Sequence, residues 1–112
     1  MSLLHFIETP IFQRLIDDLL PHDDYAAFQE ELRNDPEAGK VIAGTGGCRK
    51  IRWSREGMGK SGGVRVIYYY FNEDGEIYLF VVYPKNVKDN LTQGERNKLK
   101  RVVEELEKAK GA

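Results

Sequence analysis

Between Gly44 and Phe71 the sequence GTGGCRKIRWSREGMGKSGGVRVIYYYF sets seven glycines among arginines and lysines and ends in consecutive tyrosines. Such side chains can grip a phosphodiester without a metal. A guanidinium bonds two phosphate oxygens at once, an ammonium adds charge, and an aromatic ring can stack on a base. The cations of the segment include Arg49, Lys50, Arg52, Lys60 and Arg65, and Tyr83, Lys85 and Asn86 follow one strand later. RNA is the first ligand class this equipment suggests.

The whole-chain charge does not advertise such a ligand, because 17 basic and 18 acidic residues leave a formal net charge of -1. The balance conceals a separation. Residues 1 to 38 carry nine acids against two bases, residues 39 to 65 seven bases against Glu56 alone, and the last 22 residues six bases against four acids. An acidic helical part and a basic working face are expected from this pattern. The single cysteine, Cys48, excludes an internal disulfide and lacks neighbours at metal-ligand spacing, so it reads as a core or strand residue. No apolar run approaches the roughly 20 residues of a membrane helix, and the N-terminus does not have the pattern of a signal peptide. A cytoplasmic protein with no membrane contact is expected.

The elements that must position the cations are read from periodicity. Leu3 to Glu8 alternates as a short strand, and Thr9-Pro10 supplies an N-cap and first-turn proline for a helix to about Leu20. Phe12, Leu15, Ile16, Leu19 and Leu20 form its apolar stripe, and Pro21 stops it. A second helix starts near His22 to Asp24, with Tyr25, Phe28 and Leu32 on one face. Beyond residue 41 the period becomes strand-like: Cys48 to Arg55, a glycine-rich loop from Gly57 to Gly63, Val64 to Asn72, a tight turn at Glu73-Asp74-Gly75, and Ile77 to Tyr83. Thr92 to Lys108 completes the chain as a helix, opened by a capping box at Thr92 and Glu95. The expected fold is a single α+β domain over residues 1–112: a small, antiparallel-rich sheet with helices packed on one face, in the order β-α-α-β-β-β-α.

Alternation divides the strand residues between two faces. Arg65, Ile67, Tyr69 and Phe71 share one, and Val64, Val66, Tyr68 and Tyr70 the other, so the strand is central and the tyrosines cannot form one stacking platform. Arg65 is expected at the rim of the sheet. Tyr83, Lys85 and Asn86, at the end of the last strand, reach Arg49, Arg52 and Arg65 if the register permits.

Four ordered motifs then carry a resemblance. They are the helix ending FQEELRNDPEAG, the strand G-T-G-G-x-R-K-I-R, the loop and strand G-K-x-G-G-x-R-V-I-Y-Y, and Y-x-K-N followed by the last helix. Together they resemble the RelE/HigB family of toxin–antitoxin toxins, particularly its HigB-like branch, over about Phe6 to Leu106. The resemblance implies a ribosome-dependent mRNA endoribonuclease that halts translation. It would be held inactive by an antitoxin, typically one with a helix-turn-helix domain through which alone operator DNA is bound. It further implies chemistry without metal or cofactor, in which the RNA 2′-hydroxyl attacks the adjacent phosphorus and expels the 5′-oxygen.

Such a reaction requires a base, an acid and cations for the charge growing on the phosphorane oxygens. Arg65 corresponds to the family's arginine before V-I-Y and is implied as the phosphate clamp, with Lys85 as the second candidate. Lys60, Arg49, Lys50 and Arg52 add charge or hold RNA backbone, with Asn86 beside them, and Tyr83 stacks on a base or assists proton transfer. His5 and His22 receive no catalytic role. Some relatives use a histidine near the C-terminus, and this sequence has none there. Two other readings fit the same fold: a gyrase-poisoning toxin like the ParE branch, which cuts nothing, and an inert homologue that binds only its antitoxin.

Overall fold

A computed structural model describes residues 4–54, 63–85 and 90–111. The elements run β1 (His5–Glu8), α1 (Pro10–Leu19), α2 (His22–Asn34), β2 (Lys40–Val41), β3 (Arg49–Trp53), β4 (Val64–Phe71), β5 (Glu76–Pro84) and α3 (Gln93–Gly111). One five-stranded sheet has the order β1-β5-β4-β3-β2. β3, β4 and β5 form the antiparallel meander, β2 extends it antiparallel to β3, and β1 lies parallel to β5 on the far side.

Local sequence sets the helix ends. Thr9 Oγ1 accepts the Phe12 backbone N–H at 3.1 Å while donating to the Phe80 carbonyl at 2.8 Å, so one hydroxyl starts α1 and ties it to β5. At α3 the capping box is complete: the Glu95 N–H donates to Thr92 Oγ1 at 3.1 Å, and the Thr92 N–H donates to Glu95 Oε1 at 2.9 Å. Asp23 and Asp24 in the first turn of α2, and Arg33 in its last, match the helix dipole.

The sequence leads one to expect the helices on a single face of the sheet, but they cover both. Phe12 and Ile16 of α1 and Phe28 and Leu32 of α2 pack on Val64, Val66, Tyr68, Ile77, Leu79 and Val82. Val103 of α3, flanked by Leu99 and Leu106, packs on the opposite face against Ile67, Tyr69, Phe71 and Phe80. The cause is β4 itself, which is apolar on both sides and needs cover on both. The short β2 also escapes the sequence reading, because two residues have no periodicity of their own.

A bulge breaks the β4–β5 ladder. Ile67 pairs with Val81 but Tyr68 pairs with Leu79, so Phe80 is an extra residue on β5. Ile77 and Leu79 face α1 and α2, whereas beyond the bulge Val82 takes that face and Tyr83 turns toward α3.

Candidate functional site

The basic segment converges at the end of the sheet where β3 and β5 finish and β4 begins. Across three strands, Arg52 pairs with Arg65 and Arg65 with Tyr83, so all three side chains leave the same face, the one α3 covers. Opposite residues in an antiparallel pair have Cα atoms about 4.5–5.5 Å apart. Two arginines in that relation repel, and an anion shared between them relieves the repulsion. Lys85 follows directly: its backbone N–H donates to the Gly63 carbonyl at 3.2 Å, just past the Val64–Pro84 pair.

Arg65 is not at the rim of the sheet. It is 5% exposed, enclosed between its neighbours on β3 and β5, while Arg52 is exposed. A guanidinium already removed from water interacts with a phosphate in a lower dielectric, where a charge-assisted hydrogen bond is strengthened. Tyr83 is also buried and lines a half-open pocket of about 420 Å³ with Ile67, Val81, Leu91 and Leu99, a mostly apolar hollow between β5 and the start of α3.

The next row along the same face is Lys40, Lys50, Ile67 and Val81, so Lys50 stands one row from Arg65. Arg49 lies on the other face, with Tyr68. Its Nη1 donates to the carbonyls of Gly39 at 2.8 Å and Glu37 at 3.1 Å, and its Nη2 pairs with the Glu37 carboxylate at 3.3 Å. The Tyr68 hydroxyl completes this clasp by donating to the Pro36 carbonyl at 2.8 Å and accepting the Gly39 N–H at 2.9 Å. Arg49 therefore ties the segment after α2 to β3 and is not brought together with Arg52 and Arg65. Lys60 and Asn86 lie outside the described residues. The divided tyrosines behave as their alternation indicates: Tyr68 is core on one face and Tyr69 on the other.

Cys48, Tyr69 and Lys110 sit in structural contacts. Burial pushes the Cys48 thiol up to about 11, against a lowering hydrogen bond from Thr45. Burial, then the hydrogen bond to Glu107, pushes the Tyr69 phenol up to about 12. Donating hydrogen bonds to the carboxylates of Asp74, at 2.8 Å, and Glu76 raises the pKa of the Lys110 ammonium, which clamps the end of α3 to the β4–β5 turn. Among the described residues no three His, Cys, Asp or Glu side chains gather as a metal site, and no helix is long and apolar enough to cross a membrane.

The sequence reading missed the contribution of α3 to the basic face. A Cβ placed on Gly44 would lie 4.0 Å from Arg96 Cδ, and one on Gly46 3.8 Å from Lys100 Cγ, so both side chains flank the glycine turn before β3. Their four-residue spacing on a helix was the available signal, but only the tertiary fold sets them beside the glycine turn.

The fold has solved counterparts. It is similar to a free E. coli toxin RelE carrying two arginine-to-alanine substitutions, with a TM-score of 0.58 and 17% identity over 85% of this chain and 95% of that one. It is also similar to a chain of the intact E. coli RelBE toxin–antitoxin complex, with a TM-score of 0.57 and 17% identity over 73% of this chain and 96% of that one. At that identity the likeness establishes the fold. The sequence itself matches the family described as the RelE toxin of the RelE / RelB toxin-antitoxin system over residues 30–112, which include β2 to β5, α3 and every candidate site residue. With the match spanning most of its length, the chain belongs to the RelE toxin family.

Proposed function

We propose that this toxin is a ribosome-dependent mRNA endoribonuclease that works without a metal and stops translation. The observation that carries the reading is the row Arg52–Arg65–Tyr83 on one face of three adjacent strands, with Lys85 beside it. Arg52, exposed, meets the RNA backbone first; Arg65, enclosed, holds the scissile phosphate. The 2′-oxygen of the preceding ribose attacks phosphorus and its proton passes to a base, while the bond from phosphorus to the 5′-oxygen breaks and that oxygen takes up a proton. One product ends in a 2′,3′-cyclic phosphate and the other begins with a 5′-hydroxyl. The clamp stabilises the charge on the phosphorane oxygens, a contribution of the kind that costs about 100-fold to 1,000-fold in rate when a donor is removed.

Lys85 and Lys60 supply further positive charge, Lys50 and Asn86 bind RNA backbone, and Tyr83, paired with Arg65, takes part in proton transfer. Arg49 serves by holding β3 in register. An antitoxin partner is supported by the family match and by the likeness to a chain solved in a toxin–antitoxin complex. The HigB-like motifs favour an antitoxin with a helix-turn-helix domain, through which operator DNA would be bound, and the cytoplasm as the place of action.

The test is controlled expression in growing cells with mapping of mRNA ends, beside Arg65→Ala. Cuts confined to translated messages and absent from the variant are expected. Growth arrest with damaged DNA and intact mRNA would instead identify a gyrase poison, and unimpaired growth an inert homologue.

A further inference from the structure

One row along β4 and β5 from Arg65 and Tyr83 stand Ile67 and Val81, paired with each other on the same face. Ile67, Val81 and Tyr83 form the strand side of the hollow of about 420 Å³, and Leu91 and Leu99 form the side toward α3. Side chains two residues apart on a strand are separated by about 6.8 Å, so the hollow lies one row from the Arg65 guanidinium. Tyr83 belongs to both. The volume falls within the range of small-ligand sites, about 300–1,000 Å³, whose usual lining is an apolar wall with a few polar groups that fix orientation.

The polar groups come from the sheet edge. β1 covers the outer side of β5 only as far as Leu79, because Thr9-Pro10 then turns the chain into α1. At Val81 and Val82, both in the lining, no strand lies beside β5 on that side among the described residues. An open edge presents backbone N–H and C=O groups to whatever enters. An apolar side chain would fill the walls and leave that edge unmatched. A nucleobase satisfies both, with two apolar faces for the leucines and valine and a perimeter of donors and acceptors for the strand. Its phosphate must then lie near a cation, and Arg65 is one row away.

We propose that this hollow seats the base of a nucleotide flanking the phosphate held by Arg65, so that the edge of β5 at Val81 and Val82 reads the base while Arg65 holds the backbone. That the nucleotide belongs to mRNA rests on the ribonuclease reading; the hollow and its place beside Arg65 do not. The end of β5 and the start of α3 thereby set the sequence preference at the cut.

The test is an NMR titration of the full chain with isotope-labelled isoleucine, leucine and valine methyl groups. The probes are the four 2′-deoxynucleoside 3′,5′-bisphosphates, inorganic phosphate and N-acetyl-leucinamide, each taken into the millimolar range. The bisphosphates should shift the methyls of Ile67, Val81, Leu91 and Leu99 through the ring current of the base, leaving Leu32 and Val66 in the core of the opposite face unmoved. Inorganic phosphate should not produce these shifts. Leu91→Phe and Leu99→Phe, which fill the hollow, should each weaken bisphosphate binding about tenfold or more. Hollow methyls unmoved by every bisphosphate overturn the base site, as do methyls moved by N-acetyl-leucinamide and by no nucleotide, the mark of a peptide site. These wild-type spectra decide the matter even if a filled variant fails to fold. Cleavage of ribosome-bound mRNA by the same preparations separates the two ideas. Base-dependent shifts without any cleavage by wild type would sink the ribonuclease reading alone. Arg65-dependent cleavage with silent hollow methyls, and the same cut-site preference in Leu91→Phe, would sink the base site alone.

Discussion

Arg65 and Tyr83 face each other across β4 and β5 because Phe80 is an extra residue on β5. Without it, strict alternation would send Tyr83 to the face of Ile77 and Leu79, under α1 and α2, and the row with Arg52 would not exist. Bulges re-aim side chains near active sites, and here one residue decides which side of the sheet the tyrosine serves.

The first prediction follows from that pairing. Tyr83→Phe keeps the ring in the apolar pocket and removes only the hydroxyl of the residue paired with Arg65, so cleavage of ribosome-bound mRNA by the folded variant should fall about 100-fold. A variant with wild-type cleavage would assign Tyr83 to packing alone.

Arg49 should behave in the opposite way. Its guanidinium and the Tyr68 hydroxyl together hold Pro36, Glu37 and Gly39 against β3. Arg49→Ala and Tyr68→Phe should each cost about 1–3 kcal/mol of stability in urea unfolding, because in either variant the buried Gly39 backbone loses a hydrogen bond. Cleavage per folded molecule should stay within about twofold, an effect far below the loss expected of a phosphate contact. A tenfold or greater loss in folded Arg49→Ala would place Arg49 in the RNA path after all.

Cys48 is fully buried with its thiol pushed up to about 11, so the reactive thiolate is scarce at neutral pH and inaccessible in the fold. Native protein should resist iodoacetamide at pH 8 and react rapidly once unfolded in denaturant. Fast labelling of the native protein would show that the region between the glycine turn and β4 opens readily.

Alkaline titration reports on the α3 face. The Tyr69 phenol is raised from 10.0 to about 12 by burial and then by Glu107, so the folded state holds its proton where the unfolded chain has lost it. Its contribution to stability is complete below pH 10 and is lost as the pH rises through about 12. Glu107→Gln removes the carboxylate but leaves the burial, so the ultraviolet titration of this phenol should move down only part of the way toward 10. An unshifted titration in the variant would mean that the carboxylate does not act on the phenol.

What the sequence disclosed and what it withheld divide along physical lines. Thr9-Pro10 and the Thr92–Glu95 box mark helix starts because capping is a contact between residues three apart. The two faces of β4 follow from alternation alone, and the register pairs Arg65 with Arg52 and Tyr83 while sending Arg49 to the other face. The bulge at Phe80 has no local signature, since it is defined by a neighbouring strand. The burial of Arg65 depends on packing from several elements, and Arg49 meets its partners only because the chain after α2 returns beside β3. Helices on both faces were implicit in the apolar character of both sides of β4, but the assignment of α3 to the far side required the fold.

The most direct measurement is cleavage by purified protein of an mRNA held in programmed ribosomes, comparing wild type with Arg65→Ala and comparing RNA with a 2′-deoxy substitution at the cut site. Arg65→Ala, confirmed as folded, should cut about 100-fold to 1,000-fold more slowly, and the 2′-deoxy message should remain whole. Undiminished cutting by the variant, or cutting of the 2′-deoxy message at the same bond, would contradict the account.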